Sequence, residues 1–337
     1  MESALNPVAE LLAGAASAGH TVLPVDLVLA SCSAADIAAA LDTGLVIETE
    51  WRAQPALALL EIAEAEELLA DGLLALAAEN RLAVIVGSDP DRRRLTLDSA
   101  LAGASAVVLD NAQRVSLDAV LDAVDELPET AVLALSLDPA LPLAPGPGAV
   151  ALDLAASGVC PVLKAEAAQG SSALDVAREA VATGRWTGGR DGDRSLILVP
   201  VTSASEALHR LTQLLTTSIP RAFGVEPADV VAVVLDLEGE LGAKKVAAAR
   251  VAAGVAGPVA LTTEIQAPAR AAVLLLPVAP TQALTRATMY AGLLAGLEHV
   301  SIVHALGPNP ASLADIVAGP SDRPRRTRLV ELLTTAD

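Results

Sequence analysis

The sequence predicts an α/β protein with two tandem lobes, each built on a parallel sheet. Its 337 residues, 53% of them apolar, suffice for two or three domains with large cores. From residue 82 onward, runs of valine, leucine and isoleucine alternate with helical segments, as expected of strands covered on both faces. The strand candidates are Leu82–Val86, Ala106–Leu109, Ala131–Leu135 and Val159–Leu163 in a first series, and Ser195–Val201, Val230–Leu235, Val259–Thr262, Ala272–Leu276 and Val300–Val303 in a second.

The two series of strands are separated by Thr187–Asp193, a segment with three glycines and alternating charges. Such a composition is typical of a linker. We therefore place the first lobe at residues 55–188 and the second at residues 189–337.

Residues 1–54 have a different pattern and predict a small separate module. They are rich in alanine and leucine, with extended Thr21–Pro24 between two helical stretches and strand-like Gly44–Glu48 after them. The order helix, extended segment, helix, strand favours a helical, winged-helix-like module.

A long helix is predicted over Glu61–Asn80, at the start of the first lobe. Leucines lie on one side of it and four carboxylates on the other. We interpret the carboxylates as a solvated helix face rather than paired catalytic acids. They are Glu61, Glu64, Glu66 and Glu67.

Composition excludes several classes of function. The formal net charge is −19, with only three lysines, which opposes general association with a phosphate backbone. The first basic residue is Arg52, so no positive n-region of a secretory signal is visible, and no apolar run reaches the ~18 residues of a membrane span. Cys32 and Cys160 are interpreted as buried thiols in a reducing cytoplasm. The four histidines form no metal-binding pattern, so we expect no metal site.

The most informative segment follows the first strand of the first lobe. A phosphate-binding loop reads G-x-x-x-x-G-K-[ST], whereas this chain has Gly-Ser-Asp-Pro-Asp-Arg-Arg-Arg over residues 87–94. Only Gly87 fits, because Arg92, Arg93 and Arg94 take the places of the second glycine, the lysine and the hydroxyl. Two aspartates and a proline add repulsive charge and remove a backbone donor. The segment is interpreted as a degenerate Walker A loop.

A longer segment in the first lobe carries a family resemblance. Residues 137–148, Leu-Asp-Pro-Ala-Leu-Pro-Leu-Ala-Pro-Gly-Pro-Gly, resemble the G-D-P-x-Q-L-P-P-V-G-P-G of RecD-type superfamily 1 DNA helicases. Residues 107–113 resemble the Walker B strand and its D-E-A-x box. The N-terminal region is similar to the winged-helix element that precedes the RecD-type motor. Further similar segments are Ile219–Gly224, Leu284–Tyr290 and the arginine-rich Arg323–Arg328. The resemblance implies two tandem RecA-like lobes of the P-loop NTPase type.

The positions that would carry ATP chemistry depart from the family pattern. Asp110 keeps the magnesium-associated carboxylate, but Asn111 replaces the glutamate that would activate water, and an amide cannot act as that base. Leu141 takes the place of a glutamine, and Ala295 takes the place of the catalytic arginine. The family's K-S-Q-G is absent from Thr262–Arg270, and so is an arginine near Gln169–Ser171. Residues 251–259 leave no room for the β-barrel that the family inserts in the second lobe.

These departures predict no catalytic residue. Gly87, Arg93 and Asp110 are interpreted as vestigial ATP and magnesium positions, and we expect no cofactor, with residual binding of ATP and magnesium left open. The favoured hypothesis is a non-hydrolysing helicase homologue that binds a partner protein as a regulatory subunit, in DNA repair or recombination. The alternative is a residual nucleotide-binding or DNA-binding ATPase subunit that works with an active partner.

Direct contact with DNA is expected to be weak or missing, and no membrane partner is expected. The N-terminal module has no lysine or arginine before Arg52, which argues against DNA attachment through that module. The arginine-rich segment Arg323–Arg328 is interpreted as a solvated tail rather than a phosphate-binding site. The four aromatic residues Trp51, Trp186, Phe223 and Tyr290 are spread along the chain, so no stacking platform for bases is visible.

Overall fold

Three sheets organise the chain, one antiparallel and two parallel. The computed structural model describes residues 6–101, 104–165, 170–265, 267–279, 281, 283–305, 311–322 and 324–335. These residues divide into two units. The first contains the chain up to Pro139, from Leu143 to Ala165 and from Pro324 onward, and the second contains Ala140–Pro142 and the described residues between Gly170 and Asp322.

The first unit begins with the antiparallel sheet and three helices. Its elements are α1 (Pro7–Ser17), β1 (Leu23–Pro24), α2 (Val25–Leu29), α3 (Ala34–Asp42), β2 (Val46–Trp51) and β3 (Gln54–Leu59), with strand order β1-β3-β2. The Asn6 side chain caps α1 by accepting from the Val8 N–H, and Ser33 with Asp36 forms a capping box at α3. Val8, Leu12 and other apolar residues form a separate small core. This is the predicted winged-helix-like module.

The rest of the first unit surrounds a parallel sheet of order β5-β6-β4-β7. Helices α4, α6, α7 and α14 pack around Leu133 and Leu135 on one face of this sheet, and α5 packs against Ile85 and Ala134 on the other. The elements are α4 (Leu60–Ala78), β4 (Leu82–Val86), α5 (Pro90–Leu101), β5 (Ala106–Asp110), a 3₁₀ turn (Ala112–Arg114), α6 (Leu117–Asp125), β6 (Val132–Leu137), α7 (Val150–Ser157), β7 (Val162–Lys164) and, from the end of the chain, α14 (Leu329–Thr334).

The second unit has a five-stranded parallel sheet of order β10-β9-β11-β12-β8. Alternate residues of each strand enter opposite cores: Val231 and Val233 face one, and Val230 and Val234 face the other. The elements are α8 (Ala173–Ala182), β8 (Leu196–Pro200), α9 (Ala204–Gln213), a π-helical stretch (Leu214–Ser218), α10 (Ile219–Phe223), a 3₁₀ turn (Pro227–Asp229), β9 (Val230–Val234), α11 (Ala243–Ala252), β10 (Val259–Leu261), β11 (Ala269–Leu275), α12 (Arg286–Leu294), β12 (Gly296–His304) and α13 (Ala311–Ala318).

This topology confirms the predicted fold class, two tandem α/β lobes of RecA-like, P-loop NTPase type behind a winged-helix-like module. Each of the nine strand candidates overlaps a strand, although only Val162 and Leu163 of Val159–Leu163 lie in β7, which is largely exposed. Apolar runs buried on both faces, such as β9, are distinctive in sequence. Among the described residues, every helix is too short or too polar to cross a lipid bilayer.

The division of the chain between the two units differs from the sequence-based boundaries. Helix α8 packs into the core of the second unit through Leu174 and Val181, although residues 55–188 were assigned to the first lobe. The glycine-rich Thr187–Asp193 therefore lies inside the second unit, where Gly188 and Gly192 adopt positive φ angles and Gly192 lies in a turn. Glycine content marks a turn but does not identify the core that the preceding helix joins.

The C-terminal segment, residues 324–335, packs within the first unit, whereas the sequence division placed it in the second lobe. It is also not a solvated tail. Arg325 donates from Nη2 to the Ala144 carbonyl (2.5 Å) and from Nη1 to the carbonyls of Gly146 (3.0 Å) and Gly148 (2.6 Å). Arg328 is buried and its Nη2 donates to Glu67 Oε1 at 2.6 Å. Arg323 lies outside the described residues.

The predicted acidic face of α4 needs one correction, because Glu66 is fully buried. Its Oε1 accepts from Thr21 Oγ1 at 2.9 Å and from the Arg328 N–H at 3.1 Å. Burial raises the pKa of Glu66 to about 7, against the lowering effects of the Thr21 and Arg328 hydrogen bonds and the Arg328 charge; the neighbouring Asp153 raises it further. Burial likewise raises the pKa of Asp153 to about 6. Two carboxyl groups thus lie beneath the C-terminal segment.

The raised pKa of Glu66 predicts a pH-dependent stability. Because the pKa is higher in the folded chain than the ordinary value of 4.5, the stabilising contribution is complete below that value and is lost as pH rises through about 7. The shift corresponds to a loss on the order of 3 kcal/mol. Denaturant unfolding of the wild type and Glu66→Gln at pH 5 to 8 should show the wild type losing stability relative to the variant as pH rises.

The matched control is Glu64→Gln, since Glu64 is exposed on the same helix. The stability difference between this variant and the wild type should be independent of pH over the same range. Parallel pH profiles for Glu66→Gln and the wild type would contradict the assignment.

Candidate functional site

The candidate site lies at the carboxyl edge of the first parallel sheet. Gly87 follows β4, Asn111 follows β5, and Ser136 lies in β6 between them, where it pairs with Ile85 on one side and Asp110 on the other. Open α/β sheets bind ligands at the carboxyl ends of their strands. The topology therefore brings residues 87–94 and residues 107–113 to one edge.

The side chain of Arg93 fills the centre of this edge. Only 2% of the residue is exposed. Its Nε donates to Ser136 Oγ (2.7 Å), Nη1 donates to the Gly87 carbonyl (2.5 Å) and Nη2 donates to Asn111 Oδ1 (3.1 Å). The three nitrogens of the planar guanidinium can each donate to a different acceptor, whereas a lysine side chain has only one nitrogen. The guanidinium group of Arg93 is therefore bonded to the edge of the sheet that its own loop follows.

Gly87 is required at this edge by packing. A Cβ atom at this position would lie 2.9 Å from the Ala165 Cβ and 3.5 Å from the Arg93 Cγ. The Gly87 N–H donates to the Leu137 carbonyl at 3.0 Å. Both backbone groups of Gly87 are thus bonded within the protein.

Asp89 occupies the N-terminus of α5, where a nucleotide phosphate would bind in an intact P-loop. Its Oδ1 accepts from the Asp91 N–H (2.9 Å) and the Arg92 N–H (3.2 Å). A helix N-terminus attracts anions because its first amides have no partner within the helix. Here the carboxylate of Asp89 satisfies two of these amides, so the chain supplies its own anion.

Asp110 and Asn111 are adjacent at the end of β5, but their side chains have different surroundings. Asp110 is exposed, and within the described part of the chain its carboxylate forms no ion pair. Asn111 adopts a left-handed conformation (φ 51°), which asparagine tolerates better than most residues, and turns its amide oxygen toward Arg93. The structure therefore brings Gly87 and Arg93 together and leaves Asp110 at the surface.

Three residues in the segments that differ from the motifs they resemble are buried. Leu141 and Ala295 are both buried in the core of the second unit, and Ala295 also caps the C-terminus of α12. Thr262 is fully buried after β10. Gln169 and Gln266, which belong to the two segments that lack the family's polar residues, lie outside the described residues.

The 137–148 segment is held by a network that sequence reasoning missed. The Asp138 N–H donates to Gln113 Oε1 at 3.2 Å, and the Ala144 N–H donates to the Gln113 carbonyl at 2.8 Å. The Gly148 N–H donates to the Gly19 carbonyl at 3.1 Å. The segment therefore joins the turn after β5 to the N-terminal module. The lone hydroxyl of Ser136 in an apolar strand was the available signal for the neighbouring Arg93 contact.

Charge at the site surface is mixed. Arg92 and Arg94 are exposed on α5, beside the exposed Asp91. Across the described ranges, no three histidine, cysteine, aspartate or glutamate residues are grouped so that they could hold a metal ion.

Comparison with known proteins gives limited information. No protein-family model matches the sequence, and no curated protein matches it. Two solved structures resemble the fold, both of arterivirus nonstructural protein 10, a helicase. The complex with DNA has a TM-score of 0.36 at 10% identity, covering 81% of this chain and 74% of that chain. The second structure of the same helicase has a TM-score of 0.35 at 10% identity, covering 79% of this chain and 71% of that chain. A likeness of this degree identifies neither the family nor the activity of this chain.

The Arg93 contacts predict a large effect of truncation. Arg93→Ala would leave Ser136, the Gly87 carbonyl and Asn111 without their donor and open a cavity. We expect a loss of about 3 kcal/mol in the free energy of unfolding. Arg93→Lys should fall between the wild type and Arg93→Ala, because one ammonium cannot reach all three acceptors. Denaturant unfolding measures both variants.

The neighbouring exposed Arg92 provides the control. Arg92→Ala should change stability by no more than ~0.5 kcal/mol, as at other exposed positions. Equal effects of Arg92→Ala and Arg93→Ala would show that the buried contacts contribute nothing.

Proposed function

We propose that this chain is a degenerate RecD-like helicase homologue that has no ATPase activity and acts as a protein-binding, regulatory subunit in DNA repair or recombination. The observation that carries the proposal is the closure of the nucleotide site by Arg93. A phosphate would have to displace a buried guanidinium from three hydrogen-bond acceptors before it could bind. The resemblance of residues 137–148 to the RecD-type motif supplies the family.

Two further contacts support loss of hydrolysis. Asp89 places a carboxylate on the amides of α5 where phosphate oxygens would bind, and like charges repel at this distance. Asn111 has an amide in place of the carboxylate that would activate water, and its amide oxygen accepts a hydrogen bond from Arg93. The site thus lacks both a place for the phosphates and a base for the attacking water.

The regulatory role is supported by what the chain retains. Both parallel sheets, the winged-helix-like module and the loop at residues 144–148 are intact and well packed. A chain that has lost a catalytic site but keeps its packed sheets still offers an ordered surface to which another protein can bind. The net charge of −19 favours a protein with basic surface groups over nucleic acid as that partner.

The alternative function, residual nucleotide or DNA binding beside an active partner, is favoured by the exposed cations of α5. Arg92 and Arg94 lie on the surface near the closed site, and Asp110 is exposed at the same sheet edge. The two guanidinium groups could attract a polyphosphate without opening the site, and the carboxylate of Asp110 could contact its magnesium ion. Such binding would be weak and salt-dependent, because exposed charges are screened.

ATP turnover distinguishes the two functions. We expect no phosphate release above background from the purified chain, with or without single-stranded DNA, and no change in Asp110→Ala. Titration calorimetry with ATP and magnesium should give no heat at millimolar nucleotide. Turnover that depends on Asp110 would overturn the proposal, and binding lost in an Arg92→Ala/Arg94→Ala variant would establish the alternative.

A further inference from the structure

An open groove of about 470 Å³ lies in the first unit. The C-terminal end of α1, the start of α4, the start of α6 and the Gly146–Pro147 turn line it. Its apolar lining includes Ala16, Leu59, Ile62 and Leu117. Small and branched apolar residues around an open space of this size form a site for one or two apolar side chains.

Two exposed carboxylates also line the groove. Glu61 lies in the first turn of α4 and Asp118 in the first turn of α6. Both residues are exposed, and neither belongs to any ion pair between described residues. An acidic residue in a first turn stabilises its own helix, which accounts for each residue alone. It does not account for two carboxylates from separate helices lining one apolar groove.

The walls of the groove are held in place from several sides. Arg325 binds the carbonyls on either side of Pro147, at Gly146 and Gly148, and the Gly148 N–H is bonded to Gly19 at the end of α1. A binding site that is already ordered loses little conformational entropy when a ligand enters. The groove is therefore preformed.

We propose that this groove binds an extended segment of a partner protein, in which an apolar side chain enters between α1 and α4 and flanking lysine or arginine residues contact Glu61 and Asp118. This inference rests on the proposed protein-binding function and specifies its surface. Charge complementarity selects the occupant: a nucleic acid would meet two carboxylates, and a second copy of the chain would bring the same net charge of −19.

The test uses the full chain and a fluorescently labelled peptide of alternating leucine and lysine, followed by anisotropy. We expect saturable binding that is lost when glutamate replaces the lysines or serine replaces the leucines. The double variant Glu61→Lys/Asp118→Lys should weaken binding by about tenfold or more. The matched control is Asp71→Lys/Asp125→Lys, which makes the same change of net charge at exposed positions of the same two helices, away from the groove. It should retain affinity within about twofold.

A second pair of variants tests the apolar part of the groove without changing charge. Ala13 is exposed on α1 and lines the groove, so Ala13→Trp should fill the space and abolish peptide binding. Ala38→Trp places the same side chain at an exposed position of α3 outside the groove and should leave binding unchanged. Thermal unfolding of all four variants establishes that they are folded.

Equal loss of binding in the two charge variants would show attraction to the net charge only and would overturn the proposal. So would the absence of saturable peptide binding, or a wild-type dimer that Ala13→Trp dissociates. If a partner captured from the native cell still binds Glu61→Lys/Asp118→Lys and Ala13→Trp, the groove is excluded while the protein-binding function stands. ATP turnover that depends on Asp110 would overturn the proposed function and leave the peptide measurements as they are.

Discussion

The contact between the Arg325 guanidinium and the carbonyls of Ala144, Gly146 and Gly148 determines how the first unit is assembled. A charged group withdrawn from water must be surrounded by acceptors, and here the acceptors come from one irregular loop. The same guanidinium leaves no space for a side chain at Gly19, where a Cβ would lie 2.5 Å from the Arg325 Nε. One arginine therefore fixes the end of α1, the loop and the C-terminal segment against each other, and the loop in turn is bonded to Gln113 beside the sheet. Residues 137–148, which resemble a helicase motif in sequence, thus connect the N-terminal module, the turn after β5 and the C-terminal segment by hydrogen bonds.

A second arginine follows the same rule at the sheet edge. Arg93 is withdrawn from solvent and takes its acceptors from Ser136, Asn111 and Gly87, so each of its three guanidinium nitrogens donates a hydrogen bond within the protein. The stability of the fold comes from the burial of valine and leucine strands in the cores and not from the polar groups at the strand ends. Arg93 and Asn111 also hydrogen-bond with each other, so the buried guanidinium has partners in β6, directly after β4 and directly after β5.

Sequence reasoning located all nine parallel strands, because each is a continuous apolar run with turn residues on both sides. It also placed Gly87 directly after a strand, and the structure has Gly87 at the end of β4. It did not assign α8 or residues 324–335 to their units, because the apolar face of a helix does not indicate which sheet that face packs against. Glu66 was assigned to a solvated face although Ala63, Leu69, Ala70 and Leu73 share its stripe at helical spacing. That spacing was visible, but the buried partners Thr21 and Arg328 are far away in sequence. The inward turn of Arg93 depends on Ser136, 43 positions later, and no local pattern could indicate it.

The return of residues 324–335 to the first unit also affects the order in which the chain can fold. Synthesis proceeds from the N-terminus, and domains generally fold as units when their residues have emerged. Until the second unit has been made, the first unit lacks α14. It also lacks Arg325, which binds the carbonyls of the loop at residues 144–148. Before then, the face of α4 around Glu66 and the loop at residues 144–148 are uncovered, while the second unit is continuous apart from Ala140–Pro142. The second unit can therefore reach its native packing first, and the first unit is completed only when residues 324–335 have been made.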